Sequence, residues 1–280
     1  MKHLILGSSG QVGTHLQEYL RREGEEVIEF DIIRSVDEDL RTYQNTKLVD
    51  SINNCDIVHF LAFDVGGSEY MKKYQDTFDF ISNNVKIMNC VYDILKTTKK
   101  PFIFASSQMS NMSHSTYGLL KAIGESYARS LNGLVIKFWN VYGYEADPEK
   151  THVITDFIEM AAKQGVIKMR TDGTEERQFL FGDDCAECIL NLSLKYEMID
   201  RDKALHITNF EWTTILDIAN IISSEFDNCK VIPSESKDNV QRGIRNEPDN
   251  YILNFWKPKT ELRKGIKEVI GLMKKNGAIQ

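Results

Sequence analysis

The chain has 280 residues, 42% hydrophobic and 27% charged, as in a soluble globular protein with room for one large domain or a domain and a lobe. Its 34 basic and 41 acidic residues leave a formal charge of −7, which argues against a nucleic-acid partner. No apolar run approaches the roughly 20 residues of a membrane-spanning helix, and no membrane partner is expected. Met1-Lys2 leads straight into an apolar run, so no signal peptide is expected. The five cysteines are Cys55, Cys90, Cys185, Cys188 and Cys229, an odd number that suggests reduced thiols and a cytoplasmic location. Cys185-Ala186-Glu187-Cys188 has no second pair nearby and reads as two cysteines of a helix. The six histidines show no metal-ligand spacing, and no metal is expected.

His3-Leu4-Ile5-Leu6 is a short apolar run suited to a buried parallel strand. It ends on Gly7-Ser8-Ser9-Gly10-Gln11-Val12-Gly13, after which Val12, Leu16, Tyr19 and Leu20 recur at helical spacing. Glycines between a strand and a helix are the context of a dinucleotide-binding turn. Gly7 permits the tight turn, Gly10 lets backbone approach a pyrophosphate, and Gly13 lets the helix pack close to the sheet, with the helix N-terminus attracting the anion. The spacing Gly-x-x-Gly-x-x-Gly is one residue longer between its first two glycines than the usual form. A second strand, Glu26 to Asp31, ends on an acid 18 residues past Gly13. A carboxylate there accepts from the adenosine ribose hydroxyls and repels a 2′-phosphate, which favours NAD over NADP. Arg34 would soften that preference.

Further strands read as Asp56 to Phe63, Phe102 to Ser106 and Gly133 to Phe138, with helices over Asp76 to Lys96 and Tyr117 to Leu131. The alternation predicts an α/β fold with a parallel, doubly wound sheet over residues 1–150. Beyond it, Thr151 to Gln164 reads as a helix, Val166 to Met169 as a strand and Cys185 to Leu194 as a helix. Ala204 to Thr208 reads as a strand returning to the sheet, so the return covers about 183–208. With helices at Ile215 to Phe226 and Leu262 to Met273, residues 151–280 are expected to form mainly a smaller C-terminal, substrate-binding lobe. It should close over the carboxyl ends of the strands, where such sheets bind ligands.

Tyr117 and Lys121 are four apart and share one face of a helix. A free tyrosine titrates near 10 and is a poor base at neutral pH. A nearby ammonium and a positive nicotinamide would favour the phenolate. Tyr117 then accepts a hydroxyl proton as hydride leaves, or donates it in reverse. A Tyr-x-x-x-Lys is common by chance and gains meaning only beside the glycine turn.

Together these segments resemble the extended short-chain dehydrogenases/reductases of the NAD-dependent epimerase/dehydratase family, which act on nucleotide sugars. The resemblance runs over nearly the whole length. It includes the glycine turn with Gln11 and Val12, Asp31, Asp39-Leu40 where the family contacts adenine, and Leu61-Ala62-Phe63 in the strand that passes under the cofactor. Asn84 lies in a helix where the family commonly has an asparagine. Phe104-Ala105-Ser106-Ser107 resembles the family's serine strand, and Phe255-Trp256-Lys257-Pro258 its near-terminal Gly-Trp-x-Pro, with Phe255 replacing glycine. The resemblance implies that Lys121 also bonds the nicotinamide ribose, and that Ser107 orients the reacting oxygen with Gln108 beside it. It implies that Asn140 and Arg177 hold a nucleoside-diphosphate sugar, with Arg245 as a second diphosphate contact. A guanidinium fork suits diphosphate oxygens. The family usually forms homodimers through the helices here covering Asp76 to Lys96 and Tyr117 to Leu131. Phe80, Ile87, Val91 and Leu95 follow helical spacing and face either the mate or the sheet.

Departures narrow the reaction. The family's 4,6-dehydratases carry Asp-Glu where Gln108-Met109 stand, and neither of these exchanges a proton, so dehydration is not expected. The 3,5-epimerising mannose relatives place a cysteine at Met109. Ala62 to Gly67 resembles the loop of GDP-mannose epimerases and GDP-fucose synthases, whereas Gly10 to Gly13 resembles the 4-keto-sugar reductases. Lys137 and Gln178 replace a more usual arginine and aspartate. The expectation is an NAD-dependent nucleotide-sugar epimerase or dehydrogenase acting at a hexose carbon, C4. The alternatives are an NAD(P)H-dependent 4-keto-sugar nucleotide reductase and a non-catalytic dinucleotide-sensing module.

Overall fold

The computed structural model describes residues 1–145, 147–238 and 246–279. Its strands are β1 (Lys2–Leu6), β2 (Glu26–Phe30), β3 (Ile57–Phe60), β4 (Phe102–Ser107), β5 (Leu134–Phe138), β6 (Asn140–Tyr142), β7 (Val166–Lys168), β8 (Glu176–Arg177), β9 (Phe179–Phe181), β10 (Leu205–Ile207), β11 (Thr213–Thr214) and β12 (Lys230–Ile232). The helices are α1 (Gln11–Arg22), α2 (Thr46–Asn53), α3 (Ser68–Tyr74), α4 (Phe78–Thr98), α5 (Thr116–Ser130), α6 (Val153–Gln164), α7 (Gly182–Leu194), α8 (Ile215–Ser223) and α9 (Leu262–Lys275). Six strands form a parallel sheet in the order β10-β5-β4-β3-β1-β2. The remaining strands pair two by two, β6 with β9, β7 with β12 and β8 with β11.

The central strands are apolar at nearly every position because both faces of the sheet are covered. Ile5, Ile57 and Ile103 point to one layer, where Leu16 and Leu20 of α1 meet Ile189 and Leu192 of α7. Their neighbours Leu4, Leu6, Val58, Phe60, Phe102 and Phe104 point to the other, built on Phe80, Val91 and Leu95 of α4 and Leu120 of α5. The helical stripe Phe80, Val91 and Leu95 therefore faces the sheet, with Ile87 packed at its edge. A third core joins α6, α8 and α9 under β7 and β9. Cys185 and Cys188 lie wholly inside the first layer, and burial raises both thiols far above their ordinary value. They are packing residues there.

Two strands are shorter than their apolar runs suggest. The run Asp56 to Phe63 leaves the ladder after Phe60, because Leu61 N–H still bonds the Leu6 carbonyl but Asp64 is captured from the side by Asn84. Asp31 likewise lies beyond β2, where its carboxylate turns back on backbone N–H groups.

The sheet core also contains polar groups. His3 and His59 are fully buried on adjacent strands, their rings stacked at 5.1 Å with Nδ1 of one 2.8 Å from Nε2 of the other. Burial pushes both below the usual histidine value, while Glu25 opposes this at His3. As pH falls through about 6.5 the unfolded chain takes up protons on these rings. The folded pair does not, so the unfolded state binds more protons and stability is lost on the acid side. The unfolding free energy from urea titrations is predicted to fall between pH 7.5 and 5.5. The double variant His3→Leu/His59→Leu should flatten that slope, and an unchanged slope would place the acid sensitivity elsewhere.

Candidate active site

The glycine turn joins β1 to α1 at the carboxyl edge of the sheet. Gly7 has φ +88°, a left-handed conformation that favours glycine, and a Cβ there would sit 2.8 Å from Ala62 backbone. Gly13 lies under the turn, where a Cβ would stand 2.2 Å from the Gly7 carbonyl oxygen. Gly10 differs: its backbone is extended and a Cβ would meet nothing closer than 3.5 Å. The protein itself therefore leaves that position open, and the open side lies at the N-terminus of α1, which favours an anion. Ser8 Oγ and Gln11 Nε2, both on this turn, are buried without a hydrogen-bond partner among the described residues. The turn thus presents a cradle and two unspent donors, which fit a dinucleotide pyrophosphate. Val12 is partly buried against the first core layer.

Asp31 stands beside the turn. Its Oδ2 accepts from Ser9 N–H at 2.9 Å and its Oδ1 from Ile33 N–H at 3.0 Å, an arrangement that fixes the carboxylate at the edge where a ribose would lie. Arg34, three residues on, is paired with Glu29 and Glu38. Asp39, expected beside adenine, is engaged within the chain. Its carboxylate is engaged by Arg41 through Nε at 2.9 Å and Nη2 at 2.8 Å, and that guanidinium holds it below its ordinary range. Leu40 is a core residue packed with Phe30 and Leu48.

Leu61, Ala62 and Phe63 form the loop after β3. Ala62 lies against Gly7, and Phe63 continues towards α5. Asn84 is fully buried in α4 and clamps this loop. Its Oδ1 accepts from Asp64 N–H at 2.7 Å, and its Nδ2 donates to the Asp64 carbonyl at 3.2 Å and the Phe80 carbonyl at 3.0 Å. These bonds engage its side chain, so Asn84 holds the loop after β3 in place.

Helix α5 carries Tyr117 and Lys121. Ser115 caps it by accepting from Gly118 N–H at 3.1 Å. Gly118 and Gly124 let it approach closely: a Cβ would stand 2.3 Å from the Met109 carbonyl oxygen at Gly118, and 2.3 Å from the Phe104 ring at Gly124. The helix is thereby pressed onto β4, at whose carboxyl end Ser107 lies. Lys121 Nζ donates to the Ala105 carbonyl at 2.7 Å and lies 3.7 Å from the centre of the Phe63 ring, which itself packs edge-on against Tyr117 at 5.8 Å. Tyr117, Lys121, Ser107 and the loop under the glycine turn are thus in one place.

The electrostatics depart from the simple expectation that Lys121 acidifies the phenol. Burial pushes Tyr117 up to about 12, and the group that draws it down is the Ser107 hydroxyl. Lys121 is itself almost fully buried, which pushes its amine down to about 7, with Glu125 opposing. A lysine that has lost much of its charge near neutral pH acts weakly on its neighbour. Glu125 was not singled out from the sequence, although Tyr117, Lys121 and Glu125 follow one another at intervals of four on a single helix face.

On the substrate side the picture is mixed. Gln108 follows Ser107, and its carbonyl and Oε1 both accept from Asn246 Nδ2, at 2.9 and 2.6 Å. Asn140 opens β6, which pairs with β9, and its N–H donates to the Gln178 carbonyl at 3.3 Å. Arg177 on β8 donates through Nη1 to the Glu176 carbonyl at 2.8 Å and through Nη2 to Asp238. Its fork is thus occupied by a carboxylate that a diphosphate would have to displace. Gln178 is buried and accepts from Thr208. Arg245 lies outside the described residues.

The model of the NAD dependent epimerase/dehydratase family matches residues 3–207, and the chain belongs to that family. Among curated relatives, a protein of Methanocaldococcus jannaschii provisionally described as a UDP-glucose 4-epimerase is 29% identical over 172 residues. The match takes in 58% of this chain and 54% of that protein, so the chain spans about half the length of the relative. Among solved structures, an NAD-dependent NDP-hexosamine 5,6-dehydratase of tunicamycin biosynthesis superposes with a TM-score of 0.80 at 15% identity, covering 98% of each chain. The UDP-glucose 4-epimerase of Thermotoga maritima, solved with UDP-glucose, gives 0.77 at 19% identity, covering 99% of each chain. At these identities the likeness establishes the fold.

If Gly10 is open for a ligand and Gly13 is closed by the protein, their alanine variants should separate. Gly10→Ala is predicted to leave urea stability within about 0.5 kcal/mol of wild type while weakening NADH binding roughly tenfold or more. Gly13→Ala should lose stability by about 1–3 kcal/mol from overpacking. Fluorescence titration with NADH beside urea unfolding reads both, and equal effects at the two positions would reject this division.

Proposed function

We propose that the protein is an NAD-dependent nucleotide-sugar epimerase or dehydrogenase that oxidises and re-reduces a hexose carbon, C4, with Tyr117 as acid and base. The observation that carries this reading is the continuous contact from Gly7 through Ala62 and Phe63 to Tyr117 and Lys121, which sets a dinucleotide cradle beside a proton-handling pair. A sensor of dinucleotides would need no such pair. NAD, when bound, takes up hydride from the sugar carbon and returns it. The chain supplies everything else. The turn at Gly10 and the N-terminus of α1 hold the pyrophosphate, and Asp31 takes the adenosine ribose and disfavours a 2′-phosphate. Lys121 bonds the nicotinamide ribose. Ser107 orients the sugar hydroxyl towards Tyr117, which accepts its proton and later gives it back. Arg177 and Asn140 serve the substrate diphosphate once Asp238 gives way. Elimination of water is set aside on Gln108 and Met109 alone, because the fold is shared with a 5,6-dehydratase and does not exclude it.

In this reading residues 1–150, with β10, hold the cofactor, and most of 151–280 binds the nucleotide sugar. The five free cysteines suit a reducing, cytoplasmic setting. Among the described residues no helix is long and apolar enough to cross a membrane.

The test is turnover on UDP-, GDP- and dTDP-hexoses and their 4-keto forms. Once a substrate is found, Tyr117→Phe should lower turnover by about 10²- to 10⁴-fold with NADH binding retained. NADH should bind more tightly than NADPH. Wild-type turnover by the variant would end the mechanism, and equal affinity for NADPH would move the reading to the 4-keto-sugar reductase. Native mass spectrometry separates the two further, since an epimerase recycles and keeps its NAD.

The protein is further proposed to be a homodimer. The apolar residues left exposed on the paired helices are Phe78 and Ile81 of α4 and Leu119, Ile123 and Tyr127 of α5, the last three four residues apart. They form a stripe across two neighbouring helices, apolar enough to seek a mate. Light scattering at micromolar concentration should give twice the mass of the chain, and Ile123→Asp should halve it. A monomeric wild type would sink the proposal.

A further inference from the structure

Behind Tyr117 and Lys121 lies a buried charge that neither the glycine turn nor the proton transfer uses. Glu125 is 4% exposed, one helical turn beyond Lys121 on the same face of α5. Its Oε1 accepts from Ser106 Oγ of β4 at 2.6 Å and lies 3.0 Å from Lys137 Nζ of β5. Its Oε2 accepts from Arg129 Nη2 at 2.8 Å. Lys137 Nζ donates onward to Ser110 Oγ at 2.8 Å. Next to this group on β10, His206 is held to about 4 by burial and Lys137, and accepts from Trp139 Nε1, so it adds no charge near neutral pH.

Burying a carboxylate is costly unless it is paired, and an apolar residue of similar volume often stabilises a core as well or better. The position therefore calls for an explanation beyond packing. We propose that Glu125 is a positioning residue of this site: its carboxylate, tethered by Ser106, Lys137 and Arg129 one helical turn from Lys121, favours the charged form of that buried amine. This rests on the reading of Lys121 as the group that bonds the nicotinamide ribose.

The need is visible at Lys121. Among the described residues its amine faces the Ala105 carbonyl of β4 and the rings of Phe63, Phe104 and Tyr117, with no carboxylate in salt-bridge contact. A cation over aromatic faces gains some stabilisation, but less than the water it gave up. Burial lowers the amine to about 7, and Glu125 is the group that opposes the fall. Without Glu125 a smaller share of Lys121 would be charged at neutral pH, and the amine would be a poorer donor to ribose.

The test reads the charge of Lys121 directly, in the full chain without added cofactor. Lysine ε-¹³C NMR follows the ammonium through its titration, with the Lys121 signal assigned by its loss in Lys121→Met. In Glu125→Gln the midpoint should move to lower pH by about one unit or more. Glu125→Asp should move it in the same direction by less. Lys137→Gln breaks the same buried pair but leaves the carboxylate, so it should leave the midpoint in place or raise it. A purely structural role predicts that Glu125→Gln and Lys137→Gln act alike. An unmoved midpoint in Glu125→Gln would overturn the proposal. If that variant does not fold, an unmoved midpoint in Glu125→Asp would do so. NADH titrations of the same proteins separate the two claims: a midpoint that shifts as expected in a chain that binds no NADH would reject the nucleotide reading and leave the Glu125 assignment standing.

Discussion

The amine of Lys121 is buried with a single backbone acceptor among the described residues, and the rest of the site is arranged around that fact. Gly118 and Gly124 allow the close approach that buries it, by letting α5 settle on Met109 and Phe104. Phe63 covers it from the loop after β3, and Asn84 holds that loop by capturing Asp64. One local requirement, a buried lysine, thus draws on a helix, two strands and a loop that are far apart in the chain. The same burial raises Tyr117, so the pair is poised with phenol neutral and amine close to neutral pH. A bound positive group would favour the Tyr117 phenolate and would further discharge Lys121.

The sheet provides the rigidity this arrangement needs. Its strands alternate between two apolar layers, and each layer holds a different part of the candidate site. Helix α1, which carries the glycine turn, is held with α7 in the first layer. Helices α4 and α5, which carry Asn84, Tyr117 and Lys121, are held in the second. The glycine turn, the Phe63 loop and Ser107 all follow the carboxyl ends of strands, the usual place for ligands in such sheets. The C-terminal segments have their own core, and β8 with Arg177 pairs with β11 beside it.

The face proposed for the substrate carries one ion pair and one pair of hydrogen-bonded amides. Arg177 is held by Asp238, and Gln108 is pinned by Asn246, both partners lying beside the segment 239–245. Such contacts can be exchanged for those of an anion, whereas the Gly13 and Asn84 contacts are buried in the packing of the turn and the loop.

The sequence by itself determined what depends on local order along the chain. The strand, glycine turn and helix at residues 2–22 are legible because strand and helix periods and the turn's conformational demand are all written in neighbouring residues. Tyr117 and Lys121 on one helix face follow from spacing alone. What only the tertiary structure decided is which partner each side chain meets. Helical spacing marks Phe80, Val91 and Leu95 as a stripe, but cannot say that they cover the sheet while Leu119, Ile123 and Tyr127 remain exposed. An acid at Asp39 and a guanidinium at Arg177 read as ligand contacts, yet Arg41 and Asp238 engage them first. The protonation of Lys121 was beyond reach as well, because desolvation and the field of Glu125 arise only when β4, β5, α5 and the Phe63 loop come together in space.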